Sequence, residues 1–521
     1  MRQNKDGEPK LFRLLGHFSI VILLCASALS AQSFEDFKRS QAESFTKYKD
    51  ERDNAFNKYL KQQWEAYNVY KGKPLYEKPK PREIPSAKPK KIKSVGPKIS
   101  IKVKKIEHVE PKPVQEFTIV KKPEVKEKIV KKEIVTPKEQ IKIVKIEPKK
   151  EEPKVKVVSK DINFDFYGSK LGFDVSSGIK KAKFYPQNQE GIRNFFDSVA
   201  SSEYDSLINE IKRVSSVMNL NDWGVYLLVL DIAKNVYKDQ DNSNLLSWFI
   251  FNKLGYAVKV GLAKRHIILM HYSKKTIYST PNYNFSNKKF YVVANYAKGS
   301  VGRLYSYKQN YPGADKPMDL SLKTLPNLMS DMKQKTLSFS DYGKKYSVSF
   351  EYNKNLIDFM STYPQADYET YFNAPIDSRT YESIAKDIKK YVDGKKAGDA
   401  MNFVLHFVQK SFKYERDDQQ FGREKVMFAN ETLYFDKSDC EDRAVLFSYL
   451  VKELFGISVV GVKYKDHMAT ALYVPMEGDS VKTGRRKLII ADPTYINASI
   501  GQSMPKYKSL MPESFVVVRK D

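Results

Sequence analysis

The stretch Asp436-Lys437-Ser438-Asp439-Cys440-Glu441-Asp442-Arg443-Ala444, continued by Val445, Leu446, Tyr449, Leu450 and Leu454, decides how this chain is read. The apolar residues after Cys440 recur at helical spacing up to Gly456, a stop signal. Cys440 therefore sits in the first turn of an apolar-faced helix. A helix N-terminus offers unpaired N–H groups and a partial positive charge, which favour a thiolate. Asp439, Glu441 and Asp442 oppose that effect unless they pair with Arg443 or cap the helix. Upstream, residues 400–414 form an amphipathic helix with Phe403, Leu405, Phe407 and Val408 among its apolar positions. Downstream the pattern turns extended. Residues 457–463 read as one strand, a second opens at His467, and a third over 487–491 ends in Asp492-Pro493-Thr494-Tyr495. A cysteine nucleophile needs a base within hydrogen-bond reach, and the base needs an orienting acceptor. Two adjacent antiparallel strands packed on the cysteine helix supply both.

The phrases Phe407-Val408-Gln409, Ser438-Asp439-Cys440-Glu441-Asp442-Arg443, Asp466-His467-Met468-Ala469 and Ala491-Asp492-Pro493-Thr494-Tyr495 together resemble the transglutaminase-like superfamily. The resemblance spans residues 375–505 and implies an α+β fold with a papain-like core. It implies that Cys440 is the nucleophile, that His467 is the general base and later the acid, and that Asp492 fixes the imidazole. Each residue also has a plainer reading: Cys440 as a buried structural thiol, and Asp492 before Pro493 as a turn residue. His406, on the helix over 400–414, reads as a core histidine.

Composition frames this site. The chain has 521 residues, 90 Lys+Arg against 62 Asp+Glu, 41% apolar residues and two cysteines. That is enough apolar residue for a full core and too little cysteine for a disulfide scaffold or a Cys-rich zinc protein. The net charge of +28 suggests anionic partners until the charge is located. Lys10 and Arg13, the apolar run Phe18 to Leu24, and small residues at Ala26-Ser27-Ala28 and Ala31 have the order of a secretory signal over residues 1–31. Cleavage after Ala28 or Ala31 would remove Cys25 and leave Cys440 as an unpaired thiol in an oxidising compartment, the plainer reading being an uncleaved anchor; the resemblance above implies the periplasm or envelope of a bacterium.

Residues 32–75 carry Phe34, Phe45, Phe56 and Tyr67, and in parallel Phe37, Tyr48, Tyr59 and Tyr70, two rows spaced by 11 residues. That period predicts one long helix with an aromatic stripe, covered by self-association, by another part of the chain, or by a membrane or wall surface. Residues 76–160 hold 26 Lys+Arg, 12 Asp+Glu and 11 prolines, and read as an extended, solvated spacer. No nucleic-acid module accompanies the charge. Residues 161–374 read as an α+β domain ahead of a catalytic domain over 375–521. Helical periodicity falls over 192–214 and 223–237, extended runs over 266–272 and 289–295, and a hairpin turns at Asp341-Tyr342-Gly343-Lys344.

An offset of 201 residues sets Ser247-Trp248-Phe249-Ile250 against Ser448-Tyr449-Leu450-Val451 and His266 against His467. Thr280-Pro281-Asn282-Tyr283 resembles Asp492-Pro493-Thr494-Tyr495 without the acid. Residues 220–300 are therefore expected to be a degenerate copy of the catalytic unit, the plainer reading being chance similarity. No metal constellation or phosphate-binding loop is evident, so no cofactor is expected; His266 and His271 lack a ligand spacing. Three functions follow. The first is an exported thiol hydrolase acting on a peptide or amide bond, its oxyanion donors being the Cys440 N–H and the loop Asn430 to Tyr434. The second is a transamidase that cross-links proteins, and the third a non-catalytic envelope adaptor with a relic triad. The implied partners are a protein or peptide substrate, peptidoglycan or another envelope component, and a second copy through residues 33–70.

Overall fold

The computed structural model describes residues 36–103 (apart from 37, 45, 63, 91 and 92), 111, 114, 160–293 and 302–519. The expected signal at 1–31 lies outside the described residues, as do Phe34, Phe37, Phe45 and most of 104–159. Among the described residues, no helix is long and apolar enough to cross a membrane.

Residues 46–59 form a helix (α1), with helical residues back to 36. Phe56 is buried against Phe196, Trp248, Tyr307 and Tyr311, with ring centroids 5.2 to 6.1 Å apart. Its part of the aromatic stripe is thus covered by the chain itself. The helix expected over 32–75 ends early. The chain turns at Leu60, and Glu65–Tyr67 form a strand (β1) paired antiparallel with Leu304–Ser306. Trp64 meets Tyr307 at 5.4 Å and Tyr67 meets Phe285 at 4.2 Å. Ladder pairing and ring contacts outweigh a helical preference worth only tenths of a kcal/mol per residue.

The chain then runs as an extended strap. Tyr70 N–H donates to Asn282 O (2.8 Å), Ala87 N–H to Ile496 O (2.8 Å) and Ile99 N–H to Lys395 O (2.9 Å). Leu75, Tyr76, Lys80, Ala87 and Ile101 are buried. The part of the expected spacer over 76–90 and 93–101 is thus anchored to the body at intervals, with exposed residues between the anchors. Single apolar residues between prolines and lysines cannot build a core, but each of these enters one built by the globular body.

Helices Gln189–Ala200 and Asp205–Val217 divide the helical stretch expected over 192–214. A first helix–sheet unit follows: α2 (Asp222–Val236), α3 (Gln240–Lys253), β2 (Val258–Ala263), β3 (His266–Tyr272), β4 (Asn282–Phe285), β5 (Lys288–Tyr291) and β6 (Leu304–Ser306). Its antiparallel sheet has the order β1-β6-β2-β3-β5-β4. A hairpin of β7 (Met332–Asp341) and β8 (Lys344–Asn353) comes next. Tyr342 (φ +46°) and Gly343 (φ +79°) make its two-residue turn, both left-handed as a twisted hairpin requires.

The second unit comprises α4 (Ser378–Val392), α5 (Ala397–Ser411), α6 (Cys440–Phe455), β9 (Val459–Lys463), β10 (Met468–Leu472), β11 (Ser480–Thr483), β12 (Arg486–Ala491) and β13 (Ser514–Val517). Its antiparallel sheet has the order β11-β12-β10-β9-β13. The fold is α+β. The expected boundary at 374/375 does not divide the packing. Phe339 of β7 sits on Phe403 and Phe407 of α5, and one apolar cluster joins the two units through Trp223, Tyr363 and Phe428.

The two sheets follow one path. In each, a helix leads to two neighbouring strands, then an edge strand, then an inner strand, and a last strand returns beside the first. The fourth residue of the leading helix also does the same work in both. Ser243 donates to the carbonyl of Tyr237, the C-cap of α2, and Arg443 to that of Phe412, the C-cap of α5. One part of the sequence alignment fails: Thr280-Pro281 precedes edge strand β4, whereas Asp492 follows inner strand β12. Val292, which follows β5, holds the place of Asp492.

Candidate functional site

The site forms where the start of α6 meets β10 and the end of β12. The Asp442 carboxylate accepts the N–H of Asp439 (3.2 Å) and of Met427 (2.8 Å), fixing the first turn. Arg443, 1% exposed, donates to Ser438 Oγ (3.1 Å), Gln409 O (3.2 Å) and Phe412 O (2.8 Å). It locks α6 to the end of α5 and forms no ion pair with the acids around Cys440. Burial pulls its pKa down to about 10, still fully charged at neutral pH.

Gln409 carries the lock onward. Its Nε2 donates to Asp492 O and Ala498 O, 2.9 Å each. Asp492 Oδ1 accepts the N–H of Thr494 (2.9 Å) and Tyr495 (3.2 Å), and Oδ2 lies 2.8 Å from His467 Nε2. Asp492 is a turn residue and the orienter of His467 at once. The His467 ring is stacked on Tyr507, centroids 4.7 Å apart, and its Nδ1 has no hydrogen-bond partner although the residue is fully buried. Tyr507 is held by Asp466, its hydroxyl donating at 3.1 Å.

The structure brings His467 and Asp492 into contact but does not join Cys440 to His467 by a hydrogen bond. The thiol donates instead to Glu441 Oε2 at 3.1 Å, and the Tyr76 hydroxyl lies 3.9 Å from Sγ. Burial first, then Asp466, push up the phenol of Tyr507, the ring stacked on His467. Cys440 itself is raised well above its ordinary value by burial first, then by Glu441 and Asp439. As folded, the thiol is protonated and covered.

The cover comes from the strap. Tyr76 closes over the thiol and also donates to Glu441 Oε2 (3.4 Å). Lys80 Nζ lies 2.5 Å from Glu441 Oε1, 3.1 Å from Asp417 Oδ2 and 2.8 Å from Glu424 Oε1, and is bonded to Asp439 Oδ2 as well. Burial lowers the Lys80 pKa, but Asp439, Glu441 and Asp417 outweigh it and hold the amine charged. Asp417 and Asp439 are pushed up by burial and then by neighbouring carboxylates, and burial likewise raises Glu441. Triads of these side chains, such as Asp417, Glu424 and Glu441, bring their donor atoms within 4.8 Å of one another, close enough to ligate a cation. Lys80 supplies the positive charge there.

Sequence reasoning did not single out Tyr76, Lys80, Asp417, Glu424 or Tyr507. Its second oxyanion donor is also corrected. Ala429–Tyr434 is a short helix, not a loop; its Thr432 N–H is spent on Phe428 O, and the Asn430 amide donates to Pro375 O (3.2 Å). The Cys440 N–H, at the first helical position, has no intrahelical acceptor. His406 is buried, with Nδ1 2.9 Å from Asp341 Oδ2. In the first unit His266 lies exposed, its Nδ1 3.1 Å from Asp241 Oδ2; Gln240 opens α3 where Cys440 opens α6, and Asp239 is the N-cap there as Asp439 is here. Comparison with protein-family models, with curated proteins and with solved structures finds no match to this chain.

Proposed function

We propose that this chain is an exported thiol enzyme of the transglutaminase-like kind, with a papain-like core, that hydrolyses a peptide or amide bond through Cys440, His467 and Asp492. The observation that carries the reading is the state of His467: Nε2 committed to Asp492, Nδ1 buried and without a partner. A carboxylate at Nε2 favours the tautomer that leaves Nδ1 as an acceptor, the state a general base requires. The thiol turns from Glu441 to Nδ1 and gives up its proton. The thiolate then adds to the substrate carbonyl, forming a C–S bond, with the oxyanion at the Cys440 N–H. Collapse breaks the C–N bond, and His467 returns the proton to the leaving amine. Water next gives a proton to His467 and adds to the thioester; the C–S bond breaks and the thiol re-forms. A lysine amine in place of water would make the same site a transamidase, but hydrolysis needs no second substrate site. The substrate in this reading is a protein or peptide of the cell envelope.

One observation favours the adaptor as a second reading: Cys440 and His467 are both 0% exposed. The test is alkylation of Cys440 by iodoacetamide from pH 5 to 10 in Tyr76→Ala, which opens the cover, with His467→Ala added in a second protein. A thiolate limb well below the free-thiol value of about 8.5, lost with His467, supports the enzyme. One limb at the free-thiol value in both proteins rejects it.

A further inference from the structure

We propose that the acidic pocket beside Cys440, formed by Asp417, Glu424, Asp439 and Glu441, is the subsite for a primary ammonium group on a peptide substrate, and that Lys80 of the strap is its built-in occupant. The inference rests on the thiol-enzyme reading and names the substrate class of that site.

Four observations carry it. First, Glu441 touches both groups: one carboxylate oxygen accepts the thiol at 3.1 Å and the other lies 2.5 Å from Lys80 Nζ. An ammonium in this pocket is therefore within one side chain of the nucleophile. Second, the pocket has buried polar atoms that Lys80 does not satisfy. Asp417 Oδ1 and Asp439 Oδ1 have no donor, although these residues are 1% and 0% exposed. Third, Lys80 arrives as a bound peptide would. Pro79-Lys80-Pro81 lies outside any helix or strand, Tyr414 donates its hydroxyl to Pro81 O (2.8 Å), and Arg416 donates to Lys80 O (3.3 Å). Groups of the body thus read the main chain while the acids read the side chain. Fourth, the pocket has an approach. A cleft of about 850 Å³, lined by Trp223, Tyr226, Gln365 and Arg423 among others, shares Glu424 with the pocket's rim. An ordinary structural ion pair calls for neither a shared thiol partner nor unsatisfied buried polar atoms.

The test uses the full chain and three thiol reagents of one class: 2-aminoethyl, methyl and 2-sulfonatoethyl methanethiosulfonate. Each transfers its alkylthio group to Cys440, forming a mixed disulfide and releasing methanesulfinate. Rates are divided by those for free cysteine, and Lys80→Ala is compared with the unaltered protein. In Lys80→Ala the aminoethyl reagent is expected to gain at least about tenfold over the neutral one, the sulfonatoethyl reagent being slowest. In the unaltered protein all three are slow. Equal normalised rates in the variant, or an aminoethyl rate in the unaltered protein matching that of the variant, overturns the proposal. If Lys80→Ala does not fold, it is refolded with propylammonium or with propanol at equal concentration. Recovery with the amine alone supports the pocket, and recovery with neither overturns it. Failure of the charge preference is separate from failure of the thiol-enzyme reading, which is judged by the dependence of alkylation on His467.

Discussion

Replacing Lys80 by alanine should destabilise the chain more steeply than any surface change, and by an amount that depends on pH. The amine is the positive partner of Asp417, Glu424, Asp439 and Glu441, and its side chain is 3% exposed. Removing one partner of a buried ion pair costs about 3–5 kcal/mol, because the charges left behind stay desolvated. That cost applies only while the carboxylates are ionised. Burial raises Glu441 to about 7, and burial with like charge raises Asp417 and Asp439 further above the ordinary range. Their folded pKa values exceed the unfolded ones, so between the two the folded state holds extra protons. The stability they contribute is full below about pH 4, the unfolded range, and is lost as pH rises through the folded values. The unaltered protein should therefore weaken from pH 5 to pH 8. Lys80→Ala should lose about 3–5 kcal/mol at pH 8 and about 1–2 kcal/mol at pH 5. Urea unfolding followed by fluorescence of Trp64, Trp223 and Trp248 reads both values. A loss under about 1 kcal/mol at pH 8, or equal losses at the two pH values, would refute the argument.

Three further tests address other parts of the frame. Arg443→Met strips donors from three buried acceptors and should cost about 3–4 kcal/mol by urea unfolding; a cost below 1 kcal/mol would mean that α5 and α6 do not depend on the lock. Phe56→Ala should cost about 3–4 kcal/mol and raise amide exchange across residues 46–59, whereas unchanged exchange would show that α1 is not docked through this ring. His271 is fully buried without a partner, and burial drops its pKa to about 3. Below about pH 6.5 the unfolded chain takes up the proton first, so stability should fall by up to about 4 kcal/mol toward pH 3. His271→Leu should flatten that slope, and an unchanged slope would sink the assignment.

The second unit was legible because its signals are local and repeated. Apolar spacing after Cys440 gave a helix, β-branched runs gave strands, and Asp492-Pro493 marked a strand end. The observed α6, β9, β10 and β12 fall within a few residues of those readings. Arg443 and Gln409 stood inside the quoted phrases, but their partners are backbone carbonyls, which leave no trace in side-chain pattern. Tyr76 and Lys80 were not legible at all. They lie more than 350 residues from Cys440, in a segment where one lysine among 25 carries no distinguishing mark. The end of α1 was missed for a related reason. Tyr67 and Tyr70 continue the 11-residue spacing, yet Tyr67 packs against Phe285 and the Tyr70 backbone pairs with Asn282. A period that persists beyond its helix misleads wherever a long-range strand partner is available.

What separates the two units is an insertion rather than a rearrangement. Between α2 and α3 the chain needs three residues, 237–239, whereas between α5 and α6 it spends 28, over 412–439. The shared frame survives both, since the fourth residue of α3 and of α6 still donates to the C-cap carbonyl of the helix before it. The long connection contributes Tyr414 and Arg416, which hold the strap's carbonyls, and Asp417 and Glu424, which hold Lys80. The first unit has a histidine at the corresponding strand, but His266 is exposed, Val292 stands where Asp492 would orient it, and Gln240, the counterpart of Cys440, is exposed. A cysteine placed at residue 240 would therefore lack an oriented, buried histidine at the start of the neighbouring strand and the cluster of carboxylates found beside Cys440. The second unit thus differs by what burial adds, a desolvated ring held at one nitrogen and a cluster of carboxylates gathered on one lysine. On the proposal that this pocket takes an ammonium group, the inserted residues that hold the strap are also those that would read a substrate.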